Sequence, residues 1–273
     1  MTDQDSPTPE LHMLRSDQLN ALRKLDTCTL ANAVETIGAR LRNEVYVDST
    51  VRCLFPELSP LVGHAVPIRV RTIDPPIAGR AYVDRVDWWD QLLAVPAPRI
   101  LVVEDVQSYA GTGSFMGEVH AHIYRALGCA GIVTNGAVRD VPALRSMGFQ
   151  AFASHISVSH AYAHVVEVGS PVVVGGLEVQ LGDLLHGDLH GVLSIPPQVV
   201  DELPAIVAEQ KEIEQTIKAF CDLLAVLDQN PEAEWQRLLG TVDLAPESNP
   251  DLAPLPDEDS GQNDDDDLAS FRL

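Results

Sequence analysis

The residues whose types and spacing could do chemistry concentrate between Gly111 and Asp140. Gly111, Gly113 and Gly117 lead into Glu118, and twenty residues (119–138) separate Glu118 from the dipeptide Arg139-Asp140. A guanidinium is a rigid fork suited to bidentate contact with a carboxylate or enolate, and a neighbouring carboxylate can hold a hard cation such as Mg²⁺ through oxygen. An equally ordinary reading stays open here, in which Asp140 caps a helix starting at Val141 and Arg139 makes a surface ion pair worth only about 1 kcal/mol.

The glycine run resembles a nucleotide loop only superficially. Such loops follow their strand almost at once, whereas Val106-Gln-Ser-Tyr-Ala intervenes here. The better functional reading is that Gly117 lets backbone approach a small ligand while the N-terminus of a helix from Glu118 offers free N–H groups to a carboxylate. On that helix Glu118, His122 and Arg125 share a face, with His120 about 200° away. Seven of the nine histidines lie between His120 and His190. His160, Tyr162 and His164 would share a face in a strand, and His160 and His164 would form an i, i+4 metal pair in a helix; each alone reads as an ordinary structural or surface histidine.

The elements that must position these groups follow from periodicity and punctuation. Ser16 reads as the N-cap of a helix carrying Leu19, Leu22 and Leu25, and Thr27 to Gly38 as a second helix stopped by glycine. Ala65 to Ile73 alternates at period two, Asp87-Trp88-Trp89 begins a short helix, and Arg99 to Asp105 is a buried strand. A helix from Glu118, a strand from Ala130, a short helix at Val141–Gly148 and a strand from Phe149 come next. Ribbons follow, with a turn at Gly175-Gly176, then strands and turns around Gly182–Pro196, and a long charged helix over Asp201–Leu227 with another short helix around Trp235.

Composition sets the bounds. The 273 residues are 45% hydrophobic, enough for a full core. A formal charge of −22 opposes binding to a phosphate backbone, so nucleic acid is not expected as a direct partner. Cys28, Cys53, Cys129 and Cys221 show no C-x-x-C spacing and read as reduced thiols. With neither a signal pattern at the start nor an apolar run of spanning length, a cytoplasmic protein without membrane contact is expected. The expected organisation is an arm over 1–15, a domain over 16–200, a helical extension over 201–240 and an acidic, disordered tail over 241–273 in which Arg272 is the lone cation.

Taken together, Gly117-Glu118, Arg139-Asp140 within Gly-Ile-Val-Thr-Asn-Gly-Ala-Val-Arg-Asp-Val, Gly148-Phe149-x-Ala-Phe-Ala and Gly182-Asp183-Leu-x-His186-x-Asp188-x-x-Gly191-Val resemble the RraA-like superfamily over roughly residues 20 to 205. That group contains class II 4-hydroxy-4-methyl-2-oxoglutarate/4-carboxy-4-hydroxy-2-oxoadipate aldolases and non-catalytic regulators of ribonuclease E. The resemblance implies an α/β protein with a swivelling β/β/α layered domain, N-terminal helices and a C-terminal helical extension, assembling as a homotrimer or hexamer with the site between subunits. It further implies Mg²⁺ or Mn²⁺ on Asp140, Arg139 on a 2-oxo acid, Glu118 acting on water, and amides of Ser114, Phe115, Met116, Gly117 and Glu118 on the pyruvyl carboxylate. His122, His160 and His164 are added as pocket candidates from the residues themselves. The expected activity is aldol cleavage or decarboxylation through a pyruvate enolate, with a ring protein regulating an enzyme such as a ribonuclease as the alternative. One departure matters: Ala143 stands where the aldolases carry an acid three residues beyond the Asp. The resemblance also implies a further acid from a neighbouring subunit's C-terminal segment, for which Asp201 and Glu202 are the candidates.

Overall fold

A computed structural model describes residues 13–38, 44–76, 85–107 and 111–229. The segment beyond 229, with the acidic stretch and the helix expected at Trp235, lies outside the described residues, as does most of the N-terminal arm. Two compact units divide at Thr216/Ile217. The first holds every element up to the start of the last helix, and the described part of the second is the remainder of that helix, α6 (Leu203–Gln229).

The first unit is built on a nine-stranded sheet. Its parallel centre consists of β2 (Leu61–Arg71), β3 (Arg99–Asp105), β5 (Cys129–Val138) and β6 (Gln150–Ile156). Antiparallel partners flank it: β1 (Arg52–Cys53) on β6, β7 (His164–Val168) and β10 (Leu184–Asp188) on β2, and β11 (Gly191–Ile195) on β10. A single connector nearly closes the sheet, because Val45 and Val47 bond β11 just before Arg52 and Cys53 pair with β6. The expected α/β fold with layered strands and helices is what the chain adopts.

β2 is buried on both faces over most of its length, which is why the period-two pattern expected around Ala65–Ile73 does not become an exposed face. Along β3, Leu101 and Val103 face a cluster with α3 (Arg85–Ala94), α4 (Glu118–Ala126) and α5 (Val141–Ser146). Ile100 and Val102 face the hairpin of β8 (Val172–Val174) and β9 (Leu177–Val179), which turns at Gly175-Gly176. A third cluster joins α1 (Ser16–Leu22), α2 (Thr27–Ile37) and the start of α6 to β10 and β11. Each fully buried aliphatic side chain contributes on the order of 1.5–3 kcal/mol.

Helix ends follow their chemistry with one shift. Asp26 accepts from Thr29 N at 2.8 Å to start α2, and Gly38 ends it at φ 67°. Ser16 is not the N-cap of α1; Arg15 holds that place, and Gln18 reaches back to its N–H at 2.7 Å. On the part of α6 within the first unit, Leu203 and Val207 are buried whereas Ile213 is exposed, so the apolar stripe read from the sequence meets that unit's core in its first turns.

The site depends on one topological detail. β3 pairs with β5 as far as Thr134, the chain leaves at Asp105, and β4 (Ser114–Met116) then pairs with β5 at Ala137 and Val138. β4 therefore takes the place beside β5 that β3 vacates.

Candidate functional site

β5 and β4 end together, and their ends assemble the central groups. Arg139 N donates to Met116 O at 2.9 Å, so the residue after β5 is tied to the last residue of β4. Next along β4 comes Gly117, the N-cap of α4, in extended conformation (φ −143°, ψ −174°). The constraint on a side chain there is space rather than dihedral freedom. A Cβ would lie 2.7 Å from Asp140 Oδ2 and 2.9 Å from Arg139 Nε. Through that gap Asp140 Oδ2 accepts the Glu118 N–H at 3.0 Å, and Arg139 Nε sits 3.6 Å from the same oxygen. The carboxylate thus rests on the positive end of α4 and beside a guanidinium.

Asp140 does not cap α5 with its side chain. Its φ of 54° and ψ of 36° are left-handed, which Asp tolerates better than most residues but which still costs on the order of 1 kcal/mol. Its carbonyl serves α5 instead, accepting from Ala143 N at 2.9 Å and Leu144 N at 3.1 Å. The left-handed turn sends the carboxylate to the N-terminus of α4. Arg139 and Asp140 side chains stay 36% and 41% exposed, and Glu118 is exposed, so the set is open to solvent.

The stretch expected to be an amide-lined loop is a short strand, and part of it is already engaged. Ser114 N donates to Ser159 O at 2.9 Å, and its hydroxyl donates to Met116 O at 2.7 Å. The Glu118 N–H is committed to Asp140. Ser114, Phe115 and Met116 side chains are buried, with Phe115 stacked on His120 (5.7 Å) and Tyr124 (6.2 Å). Gly117 admits the chain's own Arg139 and Asp140 where the sequence suggested a ligand.

The pattern of the Aldolase/RraA family matches residues 27–194, and this geometry lies inside it. The chain belongs to that family. A Halalkalibacterium halodurans protein provisionally named 4-hydroxy-4-methyl-2-oxoglutarate aldolase is 26% identical over 150 residues, which is 53% of this chain and 71% of that protein. Legionella pneumophila protein DlpA is 24% identical over 221 residues, 78% of this chain, but the chain spans only 34% of DlpA. Among solved structures, Streptomyces coelicolor RraAS2, described as an unusual member of the RNase ES inhibitor RraA family, superposes with TM-score 0.57 at 23% identity, covering 76% of this chain and 96% of that one. An uncharacterized protein from Pseudomonas syringae gives 0.59 at 20%, covering 77% and 95%. These likenesses establish the fold.

Within this Aldolase/RraA chain the remaining sequence candidates are dispersed. His122 is exposed on α4; Arg125, expected on the same face, donates to Met147 O at 2.8 Å and ties α4 to the end of α5. His160 lies in a turn, its Nδ1 2.9 Å from Ala161 O, while His164 opens β7, buried, with Nδ1 2.6 Å from Tyr162 O. Neither the shared strand face nor the helical metal pair forms, because Ala161 takes a left-handed φ of 46° between them. Asp201 accepts from Arg15 at 3.0 Å and Gln18 at 2.8 Å of its own chain. The Gly182–Gly191 motif supports the scaffold: Asp188 Oδ2 accepts from Thr27 N at 2.9 Å, and His186 bridges Thr27 Oγ1 (3.0 Å) and Leu22 O (3.1 Å).

Among the described residues no group of three or more His, Cys, Asp or Glu is arranged to hold a metal ion. A hard cation such as Mg²⁺ does not need one, since it is commonly held by one or two carboxylates with water and substrate oxygens completing its shell. Asp140 supplies such an oxygen donor on the open side of the site, so the residues present fit that group.

Sequence reasoning passed over Asp105, only 2% exposed at the end of β3. Its Oδ2 accepts from Thr72 Oγ1 at 3.0 Å and Gly111 N at 3.3 Å, whereas Oδ1 is buried with no hydrogen-bond partner among the described residues. Burial raises its pKa above the ordinary carboxylate value, opposed by the Thr72 and Gly111 hydrogen bonds. The available signal was its place at the carboxyl end of a central parallel strand.

Proposed function

We propose that this chain is a divalent-metal-dependent lyase that cleaves or decarboxylates 2-oxo acids through a pyruvate enolate, with 4-hydroxy-4-methyl-2-oxoglutarate and oxaloacetate as the substrate types to try first. The observation that carries this reading is the left-handed Asp140, whose carboxylate meets the Glu118 amide and the Arg139 guanidinium through the space left by Gly117. Mg²⁺ or Mn²⁺ held through Asp140 would supply a Lewis acid for the 2-oxo group.

The chain's own residues account for the rest. Arg139 offers N–H donors to the oxygen on which enolate charge develops and to the adjoining carboxylate. The hydrogen bond from the Glu118 amide fixes Asp140 in its rotamer. Glu118, exposed one residue beyond Gly117, is the group proposed to hold and return the proton, through a water, as the enolate forms and collapses. The openness of the set supports a site completed by another copy in a homo-oligomer, which would exclude water and confine the substrate.

A second reading, a non-catalytic ring protein that regulates a partner enzyme such as a ribonuclease, is favoured by one observation: Ala143 leaves the first turn of α5 without a carboxylate. Pyruvate release from the two substrates with Mg²⁺ or Mn²⁺, with and without chelator, separates the two. Metal-dependent release that falls on the order of 10²-fold in Arg139→Ala is expected; release indifferent to chelator, or undiminished in Arg139→Ala, refutes the lyase.

A further inference from the structure

We propose that Asp105 is a positioning residue for the candidate site, acting through the glycine loop that joins β3 to β4. Where β3 stops, its ladder on β5 ends at Thr134 and β4 resumes at Ala137, and side-chain bonds from Asn135 lie between the two. Asn135 Oδ1 accepts from Asp105 N at 2.7 Å and Asn135 Nδ2 donates to Asp105 O at 3.2 Å, which fixes the backbone of Asp105 at the break.

The Asp105 carboxyl spans the gap. Its Oδ2 takes the Gly111 N–H and the Thr72 hydroxyl, so it joins the returning chain to the end of β2. From those two points the connections reach the site. Thr72 O accepts from Tyr162 N at 3.1 Å, and a Cβ on Gly113 would meet His160 O at 2.6 Å and Thr72 Cβ at 3.0 Å, so loop, strand end and the 157–162 turn are in contact. Three residues beyond Gly111, Ser114 bonds Ser159 and begins β4, and β4 delivers Gly117 to Asp140. Releasing Gly111 and Thr72 frees the base of this path while leaving the β3 ladder intact.

The second carboxyl oxygen gives the arrangement a pH signature. Burial makes the carboxyl a poor place for negative charge, and among the described residues Oδ1 has no hydrogen-bond partner, so the group resists ionisation although Thr72 and the Gly111 and Gln107 backbones favour the charged form. Of the titratable side chains facing it among the described residues, His155 on β6 favours the ionised form; β2 and β5 present Thr72, Asn135 and Gly136, which do not titrate. As pH rises above the ordinary carboxylate value of 3.8, the unfolded chain ionises at this position before the folded one does, so folding stability declines through the folded pKa, while the bonds from Thr72 and Gly111 themselves favour the ionised carboxylate.

This inference concerns the arm beneath the proposed lyase site, so its test reads the arm directly and does not need turnover. Hydrogen exchange of 111–118 and of 99–104 is followed at one pH, corrected for intrinsic rates, in the wild type, Asp105→Asn and Asp105→Ala. Loss of two hydrogen bonds predicts about tenfold faster exchange at 111–118 in Asp105→Ala, with 99–104 unchanged. Asp105→Asn, which keeps an acceptor oxygen without charge, is expected to restore most of the protection. Unchanged exchange in Asp105→Ala, failure of Asp105→Asn to restore it, or equal loss over 99–104 would each overturn the positioning role. Where pyruvate release is measurable, Asp105→Ala lowers kcat more than it raises KM; fast exchange in a protein without turnover sinks the lyase and leaves this inference standing.

Discussion

Gly117→Ala tests the central geometry with a single methyl group. The backbone at 117 is extended, a conformation any residue adopts, so the substitution introduces no dihedral strain. Its whole effect is the added Cβ, 2.7 Å from Asp140 Oδ2 and 2.9 Å from Arg139 Nε. Restoring ordinary contact requires a displacement of roughly 0.7 Å, and the Glu118 N–H···Oδ2 bond of 3.0 Å does not survive it. A hydrogen bond to a charged group contributes about 1.5–3 kcal/mol. Because the Asp140 side chain is 41% exposed and screened by solvent, we expect a value at or below the lower end of that range, about 1–2 kcal/mol of folding stability. Misplacing reacting groups by up to about 1 Å lowers turnover on the order of 10²-fold. The assay is urea unfolding together with metal-dependent pyruvate release for Gly117→Ala, Asp140→Ala and the double variant. If the methyl acts through Asp140, it costs little in the Asp140→Ala background, which is a coupling of about 1–2 kcal/mol. An additive double variant, or a Gly117→Ala protein that matches wild type in both assays, refutes the proposed contact.

Two further predictions concern the scaffold. His186 is fully buried, and because Leu22 O can only accept, Nε2 carries the proton and Nδ1 accepts from Thr27. Burial lowers its pKa below the ordinary 6.5, so the unfolded chain takes up this proton first as pH falls: stability is intact above 6.5 and declines below it by at most about 1.4 kcal/mol per pH unit. Urea titrations from pH 8 to 5 should show that slope reduced in His186→Asn; an unchanged slope removes His186 as its source. Burial pushes the Cys129 thiol up to about 12, whereas Cys28 and Cys221 are exposed. Iodoacetamide at pH 8 followed by peptide mass mapping should modify Cys28 and Cys221 and spare Cys129 in the folded protein, and rapid labelling of Cys129 would contradict the packing around β5.

The parts of this structure readable in the sequence are those set by local chemistry. Gly38 ends α2, Gly175-Gly176 turns β8 into β9, and the apolar run from Arg99 becomes β3, because each depends on a few adjacent residues. The Arg139-Asp140 pair and its distance from Glu118 were likewise visible, and the chain does bring them together. What could not be read depends on residues distant in sequence. Nothing near Asp140 says that its side chain will leave α5 for the N-terminus of α4, since that choice rests on Gly117, twenty-three positions earlier. His160 and His164 look like a pair until Ala161 takes a left-handed turn between them. Asp105 resembles any strand-end acid until the break between β3 and β4 gives it something to hold.

The division of one sheet position between β3 and β4 separates two jobs that a continuous strand would have to do at once. β3 answers to the core, and β4 answers to Arg139 and Asp140. Residues between Asp105 and Ser114 leave and re-enter at fixed points beside β5, so lengthening that stretch costs only slowly growing closure entropy and shifts no strand register. A longer stretch there would therefore leave the β3 ladder and the contact of β4 with Arg139 as they are.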